Sequence, residues 1–217
     1  MKLAMRLPNG GVKATVWLLA AIVLLAPGVD ALDLAVGAKT GIDVGWFSGQ
    51  WPAEGDNQAR AGMSISAFAE FALMRRFSLQ PEVGLSGRRG GADDGTRVTV
   101  KTTALDVALL AKPHTPFGPG TVYALAGPQL IFLLGDVTTD RQDSGSTVST
   151  THSPDEFVLY GATVGFGYAI SAGPGELFAD LSYSRAFNSF DNNLDTYMNS
   201  AAFKLGILIP LMSSGLP

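Results

Sequence analysis

The sequence contains no cysteine and only two histidines, His114 and His152. Without cysteine the chain has no disulfide, no thiol nucleophile and no cysteine-ligated metal site. His114 lies in a proline-rich segment and His152 in a long polar one, and no phosphate-binding glycine motif accompanies either. We therefore predict no catalytic residue, no metal site and no cofactor, and we expect that the chain is not an enzyme.

The chain also lacks a hydrophobic run long enough for a transmembrane helix, which needs about 18 apolar residues. The shorter run Ala14–Ala26 follows three basic residues and precedes the small-x-Ala signal Val29-Asp30-Ala31. This order is typical of a cleaved secretory signal peptide. We predict a signal peptide over residues 1–31, one domain over 32–212 and a short tail over 213–217.

Positive charge is scarce as well. There are 15 Lys and Arg residues against 19 Asp and Glu residues, for a net charge of −4. A nucleic-acid-binding protein carries a basic patch, so we expect no nucleic-acid partner. Glycine is abundant, with 26 residues, and the mean hydropathy is positive, which is unusual for a water-soluble exported domain.

Apolar and polar residues alternate strictly along much of the sequence. Between Phe77 and Leu85 the apolar residues fall on one parity, and Ser78, Gln80 and Glu82 fall on the other. A period of two residues indicates a β-strand whose two faces meet different surroundings. The same pattern predicts eight strands, at Leu32–Phe47, Gly62–Leu73, Phe77–Gly91, Arg97–Lys112, Thr121–Val137, Glu156–Ile170, Glu176–Phe190 and Tyr197–Leu211.

Short polar breaks alternate with longer ones along the chain. The short breaks lie near Arg75, Pro116 and Gly173, and the longer ones are Ser48–Ala61, Arg88–Arg97, Thr138–Asp155 and Asp191–Thr196. An even number of strands with this rhythm predicts an all-β, eight-stranded antiparallel up-and-down transmembrane β-barrel. The short turns and both termini would face the periplasm, and the longer loops the cell exterior. Pro81 and Pro128 should lie at a strand start or a bulge.

We expect the apolar parity to face lipid and the polar parity to face the lumen. An eight-stranded barrel is just wide enough for its side chains to fill it, so a structural network of paired polar groups is expected there. Its predicted members are Lys39, Asp43, Glu70, Gln80, Glu82, Asp106, Gln129, Asp180 and Lys204.

Aromatic residues lie near the predicted strand ends. Such residues are enriched at the two membrane–water interfaces, where the ends of the strands would lie. Toward the longer loops we expect Trp46, Phe47, Trp51, Phe157, Phe187, Phe190 and Tyr197. Toward the short turns we expect Phe71, Phe77, Phe117, Tyr123 and Phe178.

Three segments also carry a family likeness. Gln80-Pro81-Glu82 ends one strand motif, Gly127-Pro128 lies in a later strand, and Gly37–Gly45 forms the first. Together they resemble the PorT-like group of outer-membrane β-barrel proteins. The resemblance implies an eight-stranded outer-membrane barrel and brings no agreed activity with it.

The expected function is therefore that of a small outer-membrane barrel of structural or interaction type. Its partners would be outer-membrane lipid, the barrel-assembly machinery during insertion, and extracellular contacts through the loop 138–155. Two alternatives stay open: a narrow channel for ions or small solutes, and an exported, water-soluble, lipocalin-like binding barrel.

Overall fold

The computed structural model describes residues 33–49, 56–93, 97–143, 146–152, 157–189 and 196–212. The predicted signal peptide and the predicted tail lie outside the described residues, as do Trp51 and Phe190 of the predicted aromatic set.

All regular structure in the described residues is β-structure. The strands are β1 (Asp33–Gly49), β2 (Asp56–Met74), β3 (Phe77–Asp93), β4 (Arg97–Phe117), β5 (Gly120–Asp143), β6 (Ser146–His152), β7 (Val158–Ala172), β8 (Gly175–Ala186) and β9 (Thr196–Met212). The described part of the chain has no helix of the length and apolarity needed to cross a membrane.

Eight of these strands close into a barrel. Each strand pairs antiparallel with its neighbours in the order β4-β3-β2-β1-β9-β8-β7-β5, and a β4–β5 pairing completes the ring. The short strand β6 pairs only with the last residues of β5, from Val137 to Asp143, and forms a hairpin with them beyond the ring. The predicted eight-stranded antiparallel barrel is confirmed.

The two parities of each strand face as predicted. Asp180 is 2% exposed and lies inside the barrel, whereas its neighbour Leu181 is 45% exposed on the outside. In the same way Glu82 lies inside and Val83 outside. The ring itself has no unpaired strand edge, and its outer wall is apolar, which suits a bilayer rather than water. The water-soluble lipocalin-like alternative is therefore wrong.

Three two-residue turns join strands at one end of the barrel, at Arg75–Arg76, Gly118–Pro119 and Gly173–Pro174. Gly118 and Gly173 have φ of 58° and 61°, a conformation that glycine adopts without a Cβ clash. The break predicted near Pro116 is slightly misplaced, because Pro113–Phe117 continues β4. The position of the turn follows the glycine and not the density of prolines.

The strands are longer than predicted at the opposite end, which we call the loop end. β2 begins at Asp56 rather than Gly62, β3 ends at Asp93 rather than Gly91, and much of 138–155 forms the β5–β6 hairpin. The seventh predicted strand extends too far, because residues 187–189 are not part of β8, which ends at Ala186. Outside a bilayer, paired strands need no apolar side chains. Strand boundaries predicted from the start of a polar stretch were therefore wrong.

Both prolines lie inside strands rather than at a strand start or a bulge, so that prediction is wrong. Pro81 pairs with Leu109 on β4, and Pro128 pairs with Ala162 on β7. On its other side each proline lies at a gap in the ladder, across which the register is unchanged. A missing N–H donor is tolerated there because the gap requires no bond from it.

Replacing Leu205, which is exposed on the outer wall beside the inward Lys204, with arginine tests the lipid assignment. We expect Leu205→Arg to lower the free energy of unfolding in lipid vesicles by about 2–4 kcal/mol, because the charge enters hydrocarbon near the membrane midplane. Val148→Arg, on the exposed hairpin, is the matched control and should change it by less than about 0.5 kcal/mol. If Leu205→Arg and Val148→Arg changed the free energy of unfolding equally in a urea titration, the lipid-facing outer wall would be contradicted.

Candidate functional site

The interior of the barrel consists of a polar central layer between two apolar layers. Along β5, Gln129 has Leu125 toward the turn end and Ile131 toward the loop end, and all three are buried. Strands β4, β7, β8 and β9 repeat this order, for example with Asp180 between Phe178 and Ala186 on β8, whereas the inward residues of β3 are polar or glycine. The polar parity that the sequence indicates is therefore interrupted by apolar residues at both ends of the lumen.

Glu82 is the centre of one cluster in the polar layer. Its carboxylate lies 2.9 Å from Lys39 Nζ and 3.9 Å from Lys204 Nζ, and it accepts a hydrogen bond of 3.1 Å from Gln80 Nε2. Lys39 also contacts Asp180 Oδ2 at 3.2 Å. Five of the nine predicted residues, from strands β1, β3, β8 and β9, thus meet in one contact network.

Asp106 is the centre of a second cluster. It accepts hydrogen bonds from Arg88 Nη2 at 2.6 Å, from Gln129 Nε2 at 2.8 Å and from Ser86 Oγ at 2.5 Å. Gln129 Oε1 in turn accepts a bond of 2.6 Å from Thr163 Oγ1. A carboxylate with three donors is well satisfied, which is the condition for placing a charge in a protein interior.

Glu70 forms a separate pair nearer the turn end. It accepts a hydrogen bond of 2.6 Å from Lys112 Nζ, which also lies 4.4 Å from the centroid of the Tyr123 ring. This ammonium therefore has a carboxylate and an aromatic face as partners. Lys112 and Arg88 are interior cations that the predicted set lacks; parity places Lys112 inside, but the residue falls at the end of the predicted strand.

Asp43 is the predicted member with the weakest contacts. It is 8% exposed, and its Oδ2 atom has no hydrogen-bond partner in the described part of the chain. Arg60, two positions along the β1–β2 ladder, has a buried Nε that likewise lacks one. Both residues lie on the inward parity of adjacent strands.

The space left in the polar layer is small. A cavity of about 40 Å³ remains among Lys39, Asp43, Glu82, Arg88 and Asp106. At roughly 10–15 Å³ for each water molecule, it holds only a few waters. The layer therefore contains room for solvent but not for an organic substrate.

Two clusters of buried apolar side chains flank this space. The loop-end layer consists of Phe47, Val100, Ala104, Ile131, Leu133, Leu159, Ala186 and Met198. The turn-end layer consists of Phe68, Leu110, Tyr123, Leu125, Ala169, Phe178 and Leu208. Three of these residues, Phe47, Tyr123 and Phe178, were predicted in the interfacial aromatic set; that prediction is wrong for them, because their parity directs them inward.

Inward glycines make room for these rings. A Cβ atom at Gly167 would overlap the Tyr123 ring, and one at Gly206 would overlap Phe178. Phe178 packs edge-on against Phe68, with 5.6 Å between ring centroids. The small inward residues of β7 and β9 are therefore the counterpart of the large inward rings on other strands.

The β5–β6 hairpin at the loop end carries the other notable polar contacts. Asp140 Oδ2 accepts a hydrogen bond of 2.6 Å from Lys101 Nζ, and Asp140 Oδ1 accepts one of 2.7 Å from Ser149 Oγ. The bond from Lys101 is the main reason that the pKa of Asp140 lies below its usual range, and the bond from Ser149 adds to it. These contacts tie β6 to β5 and β5 to β4.

The two histidines lie at opposite ends of the barrel. His114 belongs to β4 and pairs with Tyr123 next to the turn end, whereas His152 ends β6 at the loop-end hairpin. In the described ranges no three acidic or histidine residues are grouped so that they could hold a metal ion. The chemistry available in the interior is charge pairing and hydrogen bonding.

Replacing Lys39 tests whether the polar layer is necessary for stability. Lys39→Met leaves Asp180 buried without a cation, and Glu82 with only the more distant Lys204. We expect a loss of about 3–5 kcal/mol in the free energy of unfolding, measured by urea titration in vesicles.

The control is Lys101→Met, which breaks an ion pair of similar length on the exposed hairpin and should cause no measurable loss. Adding Asp180→Asn to Lys39→Met removes one unpaired carboxylate and should recover part of the stability. A Lys39→Met barrel as stable as the Lys101→Met barrel would contradict this prediction.

Solved structures similar to this chain are outer-membrane barrels. The outer membrane protein OprG from Pseudomonas aeruginosa is 8% identical, with a TM-score of 0.54 over 84% of this chain and 97% of that one. Neisserial surface protein A is 13% identical over 83% and 99%, with a TM-score of 0.42. Ail of Yersinia pestis is 12% identical over 82% and 99%, with a TM-score of 0.41. At these identities the likeness to OprG indicates the fold alone, and the two lower scores add nothing to it.

No curated protein matches the sequence. A sequence model of the family described as "Outer membrane protein beta-barrel domain" matches residues 26–192, which is more than half of the 217 residues. The match agrees with the closed ring, the apolar outer wall and the charge-paired interior. This chain therefore belongs to the outer-membrane β-barrel domain family.

Proposed function

We propose that this protein is a closed, non-catalytic scaffold of the outer membrane that holds its loop-end strands outside the cell and passes no solute through its lumen. The polar network within the barrel is structural in this proposal. The observation that carries it is the layered interior, in which apolar side chains lie on both sides of the paired charges.

The narrow-channel alternative needs a continuous polar path. Here Phe68, Phe178 and Tyr123 narrow the lumen at one end, and Phe47 and Ile131 narrow it at the other. Losing hydration in such a layer is costly for any ion. Most of the central charges are paired with one another, as Lys39 is with Glu82 and Arg88 with Asp106.

The proposed orientation follows the general build of small bacterial barrels, in which short turns face the periplasm and longer segments the exterior. Gly118–Pro119 and the two other short turns lie at the same end as Asp33 and Met212. The β5–β6 hairpin lies at the opposite end. We propose that outer-membrane lipid surrounds the barrel and that the barrel-assembly machinery inserts it.

The PorT-like group is the subfamily that we propose within this family. Its support is the sequence likeness of Gln80-Pro81-Glu82, Gly127-Pro128 and Gly37–Gly45. Gln80 and Glu82 are also hydrogen-bonded to each other in the interior, so the motif contributes to the polar layer.

Conductance in a planar bilayer tests the closed lumen. The refolded full chain should give no current above that of the bare bilayer, with insertion verified by heat-modifiable gel mobility. The variant Phe68→Ala/Phe178→Ala thins only the turn-end layer and should stay closed, because the loop-end layer remains. Discrete current steps from the unaltered protein would overturn the proposal in favour of the channel.

Cysteine labelling tests the orientation, since the native chain has no cysteine. Val148→Cys on the exposed hairpin should react with a membrane-impermeant maleimide on intact cells. Arg75→Cys, exposed in a short turn, is the matched control and should react only after the outer membrane is broken. Labelling of Arg75→Cys and not of Val148→Cys on intact cells would reverse the proposed orientation.

A further inference from the structure

The β5–β6 hairpin has an edge without a strand on it. In the ring every strand has two neighbours, but β6 pairs with β5 alone, and no other described strand pairs with it. We infer that this free edge is a binding site for an extended segment of another protein, which adds to the sheet as one more strand. Only the location of that partner, outside the cell, rests on the proposed function.

The register identifies the groups that the edge offers. Asp143 pairs with Ser146, and only two residues connect them, so this closing pair exchanges both of its hydrogen bonds. Backbone groups alternate in direction along an antiparallel ladder. The N–H and C=O groups of Val148 and Thr150 therefore point toward β5, and those of Thr147, Ser149 and Thr151 point away from β5. These three residues present a row of free donors and acceptors.

The edge carries none of the usual protection against pairing. Natural edge strands are blunted by lysine, by proline, by inward charges or by bulges. The segment Ser146–His152 contains no Asp, Glu, Lys, Arg or Pro, and its pairing with β5 runs without a register shift. Four of its seven residues are β-branched, and residues 147–151 are all exposed. Nothing in this composition opposes a further strand.

The hairpin is also held in place before any partner binds. Asp140 bonds Ser149 on β6 and Lys101 on β4, and residues 97–101 of β4 pair with 138–142 of β5. Below it the same sheet continues into the barrel. A template fixed in this way costs less conformational entropy on binding than a mobile loop does.

The occupant that fits best is an extended, weakly charged segment of a different protein, with β-branched or hydroxyl side chains that match Thr147 and Val148. A second copy fits less well. Two barrels in one membrane stand with parallel axes, so their β6 strands would run in the same sense along the membrane normal. Such a pairing would be parallel and slightly less stable per residue, whereas every pairing in this sheet is antiparallel.

The test uses the full chain in detergent micelles and a fluorescein-labelled peptide, Thr-Val-Thr-Val-Thr-Val-Thr, at up to millimolar concentration. Binding is followed by fluorescence anisotropy and by amide hydrogen exchange of β6. We expect binding to slow exchange at Thr147, Ser149 and Thr151, and to be absent for a peptide methylated at every backbone nitrogen.

The edge-blocking variant is Thr147→Pro/Thr151→Pro, which removes two outward donors from positions where proline is tolerated. It should bind the peptide about tenfold or more weakly, while retained protection at Val148 and Thr150 shows that the hairpin is still formed. The control is Thr147→Val/Thr151→Val, which keeps both donors and should bind as the unaltered protein does.

Three results would overturn the inference. One is no binding and no protection in the unaltered chain, and another is equal binding by the proline variant with its hairpin intact. The third is protection at Thr147 and Thr151 that rises with protein concentration without peptide, which would assign the edge to a second copy. Because micelles have no inside or outside, these results are independent of the cysteine labelling and the conductance that test the proposed function.

Discussion

The pairing of charges inside a narrow barrel is the interaction on which the rest of this structure depends. The outer wall is committed to lipid, so each charged side chain of the spanning strands must lie inside. Inside there is too little water to hydrate it. Lys39 between Glu82 and Asp180, and Arg88 against Asp106, satisfy this condition with direct contacts of 2.6 to 3.2 Å. If one partner of such a pair were removed, the other would remain as an unpaired charge in the barrel interior, which is strongly destabilising.

Charge pairing alone would leave the ends of the lumen open. Rings and branched aliphatic side chains lie there, and the neighbouring strand supplies glycine where a ring needs space, as Gly167 on β7 does for Tyr123 on β5. The interior therefore follows the packing rules of a soluble core at both ends and the rules of a salt-bridge network in the middle. At the level of the charges this packing leaves a cavity of about 40 Å³.

The sequence was sufficient for the number of strands in the barrel and for the parity, because strict alternation leaves only two faces to assign. It was insufficient for the inward positions that are apolar. Phe47 and Phe178 look like interfacial aromatics when judged by their nearness to strand ends, although their parity places them inside. Likewise Arg88 lies where the predicted strand Phe77–Gly91 overlaps a glycine- and charge-rich segment, and the ladder to Thr102 on β4 places it in the strand. The predicted strand boundaries at the loop end were wrong because apolar and polar residues alternate only where the outer face of a strand contacts lipid. The strands continue beyond that region without the alternation.

The most direct measurement of the sealed interior is the reactivity of one buried cysteine. Ser200 lies on the wall of the central cavity and is 5% exposed, and Ser200→Cys changes a single atom in a chain that has no other thiol. In the folded barrel a charged methanethiosulfonate reagent should leave Ser200→Cys unmodified, should modify it after unfolding in urea, and should modify the exposed Val148→Cys in both states. Rapid modification of Ser200→Cys in the folded barrel would mean that water and ions reach the central layer, and the account of a closed, charge-paired interior would be contradicted.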